Sequence, residues 1–192
     1  MNKETIVALI QESADVKIKM AAEAQAANIE KIANKVVEAY KKGHKTIICG
    51  NGGSASDALH FAAEMVCRFE INRPALPAIT LCENISTVTA VGNDFGYSVS
   101  FSRQLEAFAQ AGDVFIAIST SGNSENIVEV LKQAKKMGIF SIGMTNETGG
   151  KMADLCDLCF FAPSKITARV QECHILLIHI IAKFVETKVF EK

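Results

Sequence analysis

From Thr46 onward the chain alternates between short apolar runs and longer helix-forming stretches, and this alternation leaves few folds open. The apolar runs are Thr46–Cys49, Ala78–Leu81, Val114–Ile118, Phe140–Met144 and Leu158–Phe161. Between and after them, residues 54–67, 85–91, 99–110, 124–137 and about 166–189 read as helices. A sheet with one wet face shows apolar–polar alternation; strands that are apolar at successive positions are buried on both faces. Strands of that kind, alternating with helices, form a parallel sheet covered on both sides. The predicted fold is therefore α/β, a three-layer sandwich around five parallel strands.

The loops after the first and third strands stand apart from the others. One is Gly50-Asn51-Gly52-Gly53-Ser54 and the other is Ser119-Thr120-Ser121-Gly122-Asn123-Ser124. In a flavodoxin-like sheet ordered 2-1-3-4-5, those two strands flank the switch point where a ligand crevice opens. Two binding-type loops on that pair of strands favour this order.

Residues 3–42 contain no proline or glycine and are rich in Ala, Glu and Lys, and Gly43 follows as a helix stop. They read as continuous helix, with Ile29, Ile32, Val36, Val37 and Tyr40 on a buried face. A helical arm over residues 1–43 is more than one sheet face needs, so packing between subunits is the expectation. At 192 residues the whole chain fits one domain, 1–192, with this arm attached.

A net charge of −1 without basic blocks argues against nucleic acid as a partner. The start, Met1–Thr5, has no apolar signal core, and no apolar run approaches the ~18–20 residues that span a membrane. The expectation is a cytoplasmic protein with reduced cysteines and no membrane contact. Cys156-x-x-Cys159 lacks a second pair and runs into Phe160-Phe161, so it reads as a buried strand pair.

Four hydroxyl side chains and a glycine at a strand-to-helix junction suit an anion such as phosphate, because free N–H groups and the positive helix end converge there. Ser124 also fits as a plain helix cap. The glycine turn equally fits a tight turn with Ser54 as cap and Asp57 closing a capping box. In the next helix His60 and Glu64 are the polar residues of an apolar stretch and lie on one stripe. Burying an unpaired carboxylate is costly, so Glu64 must meet a cation, a donor or solvent in a cleft. A spacing of four suits two ligands of one metal, and it also suits a simple hydrogen-bonded pair. His179, within Ile175–Ile181, reads on its own as a satisfied core histidine or as a site residue. Gly92-Asn93-Asp94-Phe95-Gly96 reads as a polar turn that could reach sugar hydroxyls.

Taken in order, Gly50–Ser54, His60-x-x-x-Glu64, Gly92–Gly96, Ser119–Ser124 and Arg169-Val170-Gln171-Glu172-x-His174 resemble the phosphoheptose isomerases, also called sedoheptulose 7-phosphate isomerases, of the sugar isomerase (SIS) domain group. The resemblance covers essentially the whole chain. It implies a homotetramer with active sites at subunit interfaces. It implies conversion of sedoheptulose 7-phosphate to D-glycero-D-manno-heptose 7-phosphate, the first step toward activated heptose for lipopolysaccharide. One zinc ion per subunit is implied, with His60, Glu64, Gln171 and His179 at the ligand positions. Substrate contacts carry over to Asn51, Gly52, Gly53, Glu64, Asn93, Asp94, Ser119, Thr120, Ser121, Ser124 and Gln171.

Aldose–ketose isomerisation moves a proton between carbons 1 and 2 through a cis-enediolate, and needs a base, an acid and a holder for negative charge. Glu64 is assigned to one carbon and His179 is its acid/base partner. Gln171 and His179 are eight apart, about 12 Å and some 80° of turn on a straight helix, so sharing an ion requires them to lean together or to come from two chains. The rival reading is a non-catalytic SIS protein that binds the replication initiator DnaA, toward which the stretch Arg68–Pro74 leans. Such a relative is expected to lack Glu64 and His179, and both are present here.

Overall fold

The computed structural model describes residues 2–190. Five parallel strands, β1 (Thr46–Gly50), β2 (Ala78–Thr80), β3 (Val114–Ile118), β4 (Phe140–Asn146) and β5 (Leu158–Ala162), form one sheet in the order β2-β1-β3-β4-β5. β1 and β3 are neighbours in full register, Thr46 opposite Val114 through Gly50 opposite Ile118. Their loops therefore leave the same edge of the sheet, on either side of the switch point. The predicted order and all five strands are present.

Both faces of the sheet are covered because successive strand residues feed opposite layers. Ile48, Ile116, Ile118 and Met144 pack with α2 (Glu23–Lys41), α3 (Gly53–Val66) and α7 (Thr167–Phe190). Ile47, Cys49, Phe115 and Ala117 pack with α5 (Ser100–Phe108) and α6 (Glu125–Met137). α4 (Ile85–Phe95) follows β2. Cys156 and Cys159 are free thiols. The neighbouring Cys159 thiol and burial push the Cys156 thiol well up. Only Cys159 lies in β5, Cys156 ends the turn before it, and both are half-buried, so the pair is not the buried strand pair read from the sequence.

The N-terminal arm departs from the predicted continuous helix. It divides into α1 (Lys3–Lys19) and α2, with a turn at Met20–Ala22. No glycine or proline marks that turn; Met20 is buried there, and α2 takes a direction that lays Ile29, Ile32, Val36 and Tyr40 on the core. The new direction also lets the Gln25 and Asn28 amides donate to the Phe161 and Cys159 carbonyls, which shields the edge strand β5. On α1 only Val16 is buried, while Ile6, Val7, Leu9, Ile10 and Ile18 are exposed.

Three local readings change as well. Gly92–Phe95 is the last turn of α4 and not a free turn, because α4 runs on to Phe95 and ends at Gly96. A 3₁₀ turn, Tyr97–Val99, precedes α5, and another, Gly150–Leu155, lies between β4 and β5 where none was predicted. α3 starts at Gly53 with Gly52 at its cap, so Ser54 lies inside the helix and the Ser54–Asp57 capping box does not form.

Candidate active site

α3 and α7 pack side by side, each turning one stripe toward the other. On α3, His60 Nε2 lies 2.9 Å from Glu64 Oε1, as one helical turn allows. From α7, His179 brings its Nε2 to 3.5 Å from His60 Nε2, with the rings edge to face. One ligand atom from each of the three lies within 4.8 Å of the others, all from a single chain. Two imidazoles and a carboxylate are a donor set that suits zinc in both atom type and spacing. Phe69, just beyond α3, stacks on the His179 ring with centroids 5.5 Å apart.

Gln171 stands two turns earlier on α7, against the glycine loop. A Cβ at Gly53 would lie 2.4 Å from Gln171 Nε2, so glycine is what admits the amide there. Gln171 and His60 line one open recess with Ser56, Asp57 and Glu172. His60 thus touches His179 and shares this recess with Gln171. Asp57 has a buried Oδ2 without a partner, and burial pushes its carboxyl up to about 6 against the opposing pull of His60.

The two binding-type loops meet across β1 and β3. Asn51 and Asn126 exchange amide hydrogen bonds of 2.8 and 2.9 Å, and the Tyr97 hydroxyl donates to Asn51 Oδ1. In the hydroxyl loop the Gly122 N–H donates to Ser119 Oγ, which lies 3.3 Å from Ser124 Oγ. Ser121 Oγ accepts from the Asn123 N–H. Thr120 is half-buried between these residues. Ser124 occupies the cap position of α6, yet its side chain makes no cap bond, so its hydroxyl is turned to the loop. Gly122 has φ +66, and a Cβ there would lie 2.1 Å from the Gly149 carbonyl oxygen. The neighbouring Thr145 Oγ1 is buried without a partner.

Asn93 and Asp94 are exposed in the last turn of α4 and bond to each other. Tyr97, which sequence reading passed over, ties that segment to Asn51. Asn126 was missed too, although a polar side chain in the first turn of an otherwise buried helix face is a readable signal. Arg73, counted in the stretch that leans toward a partner protein, is buried and paired with Glu186. It offers nothing to an external surface.

A model of the SIS domain matches residues 11–146. The phosphoheptose isomerase of Aneurinibacillus thermoaerophilus is 50% identical over 182 residues, 94% of this chain and 92% of its own. The chain belongs to the phosphoheptose isomerase family, and it is an isomerase enzyme. Solved structures agree with that family. The phosphoheptose isomerase of Neisseria gonorrhoeae superposes with a TM-score of 0.90 at 37% identity, over 96% of this chain and 98% of that one. The Francisella tularensis phosphoheptose isomerase gives 0.92 at 33% identity, over 97% and 100% of the two chains.

Proposed function

We propose that this enzyme converts sedoheptulose 7-phosphate to D-glycero-D-manno-heptose 7-phosphate, the entry step toward activated heptose for lipopolysaccharide. The observation that carries this reading is the meeting of His60, Glu64 and His179 within 4.8 Å, in a member of the phosphoheptose isomerase family. Contacts link the start of α6, next to the hydroxyl loop, through Asn126 to Asn51 of the glycine loop, and Gly53 of that loop meets Gln171, which lines a recess with His60. That path has the polarity of an extended sugar phosphate, with an anion site at one end and titratable groups at the other.

Ser119, Thr120, Ser121 and Ser124, with the N-terminal amides of α6, hold the phosphate. Asn51, Gly52, Gly53, Asn93 and Asp94 take the sugar hydroxyls, and Gln171 and Glu64 hold the reacting end. Glu64 removes the proton from one of carbons 1 and 2, giving an enediolate. His179 serves as its acid/base partner, so a proton returns to the other carbon while the oxygen-bound proton shifts the opposite way. Binding energy at the distant phosphate orients those carbons. His60, Glu64, His179 and Gln171 would hold one zinc ion, which when bound supplies Lewis-acid polarisation of the substrate oxygens.

The exposed apolar side chains of α1 support a homotetramer in which residues 1–43 pack between subunits of a single-domain chain. The absence of any helix long and apolar enough to cross a membrane, among the described residues, fits a cytoplasmic enzyme. The DnaA-binding alternative gains nothing from the comparisons, whose closely matched relatives carry isomerase names.

The test is turnover. Purified protein incubated with sedoheptulose 7-phosphate and zinc forms the aldose, and a chelator suppresses it. No aldose under either condition removes the reading.

A further inference from the structure

We propose that Phe69 is a positioning residue for His179, held against the imidazole by the buried Arg73–Glu186 ion pair. The proposal rests on the reading above, in which His179 works at the reacting centre. An imidazole turns readily about its outer side-chain bond, where preferences are broad. Something must therefore fix the His179 ring if its nitrogen is to serve a single task. The Phe69 ring lies almost flat on it, 26° between planes.

What holds Phe69 there is a clamp built on α7. Glu186 is seven residues beyond His179, two turns along the same stripe. One of its carboxylate oxygens accepts from the Phe69 N–H at 2.8 Å and from Arg73 Nε at 3.0 Å. The other accepts from the Glu70 and Ile71 N–H groups. Burial pushes this carboxyl up, but those backbone donors and the Arg73 guanidinium outweigh it and hold it below the ordinary carboxylate value. Arg73 in turn donates to the Glu64 and Met65 carbonyls, at the end of α3 where intrahelical donors run out.

One ion pair thus grips the helix that carries His60 and Glu64 and the helix that carries His179, and it pins the loop between them. Both side chains are only 1% exposed. A buried pair of this kind is a poor source of stability compared with apolar packing. Its geometry is what the site uses: it fixes how α3 faces α7 and where Phe69 sits.

The experiment compares Phe69→Leu, Phe69→Tyr, His179→Gln and the double variant Phe69→Leu/His179→Gln. Phe69→Leu is chosen because Glu186→Gln would turn a donor toward donors and could simply fail to fold. The proposal expects Phe69→Leu to lower kcat roughly tenfold with KM little changed. Zinc affinity of the apo protein, read by calorimetry, falls about tenfold as well. Phe69→Tyr restores both, and thermal melting is nearly unchanged throughout. In the His179→Gln background, Phe69→Leu adds nothing, because it acts through the missing ring. Unchanged kcat and zinc affinity in Phe69→Leu overturn the proposal, as does an equal loss in the double variant. If His179→Gln itself leaves turnover intact, the assignment of His179 fails and this proposal falls with it; if only Phe69→Leu is silent, that assignment stands.

Discussion

The two ends of the proposed site, the loops assigned to anchoring the phosphate and the helix pair assigned to the reaction, are built in different ways. The anchoring end lies on loops at the edge of the sheet, where glycines let backbones approach closely and hydroxyls cluster at a helix start. Gly122 sits against the Gly149 carbonyl, and Ser119 and Ser124 face one another. The reacting end lies off the sheet, between the side chains of α3 and α7, and is fastened by a buried ion pair from the loop after α3. Backbone geometry of that kind suits an anionic group in general. Side-chain geometry between two helices can be specific to one reaction, and it depends on how those helices are held. Substitutions at the two ends should therefore fail in different ways.

The largest effect belongs to the reacting end. Glu64→Gln and His179→Gln keep size and polarity but remove proton transfer and weaken the proposed zinc site, and each should lower kcat on the order of a thousandfold with the fold intact by circular dichroism. At the anchoring end, Gly122→Ala forces a Cβ into the Gly149 carbonyl at a positive φ. The account expects a loss of about 2 kcal/mol in unfolding free energy and a raised KM, measured by denaturant titration and steady-state kinetics.

His174 connects the two ends, since it lies on α7 between Gln171 and His179 and its Nε2–H donates to the Thr145 carbonyl of β4. Burial pushes it down to about 4 from an ordinary 6.5, although the Thr145 bond opposes the shift. A histidine with a lowered folded value is neutral in the fold while the unfolded chain takes up a proton. Its contribution is complete above pH 6.5 and is lost as pH falls toward 4, about 2 kcal/mol by pH 5. Urea titrations at pH 7 and pH 5 should show this acid loss in the native chain and a smaller one in His174→Gln. Asp57 has the opposite sign, because its raised value favours the fold as pH falls below about 6. The smallest effect is that of Ser124→Ala. Its side chain makes no cap bond, so the usual cost of about 1 kcal/mol for a lost cap should be absent. KM should rise several-fold all the same.

The sheet was legible because its central strands β1, β3 and β4 are buried on both faces and read as short apolar runs set between helix-forming stretches. The His60–Glu64 pair was legible from its spacing on an apolar helix. The turn at Met20–Ala22 was not, since an alanine-rich stretch carries no break signal and the turn is imposed by packing on β5. The clamp was hidden for a related reason. Glu186 reads as an ordinary acid near a helix end, and its meaning comes from Arg73, 113 residues earlier. The last turn of α4 was misread because Gly92, Asn93 and Asp94 have weak helix propensities that tertiary context overrode.

A division of labour between the two ends is tested by one side-by-side measurement. Steady-state turnover of sedoheptulose 7-phosphate is compared for the native chain, Glu64→Gln and Ser124→Ala. Glu64→Gln should lose kcat by far more than it raises KM, whereas Ser124→Ala should raise KM and keep kcat close to the native value. Native-like kcat in Glu64→Gln, or a collapse of kcat at unchanged KM in Ser124→Ala, would contradict it.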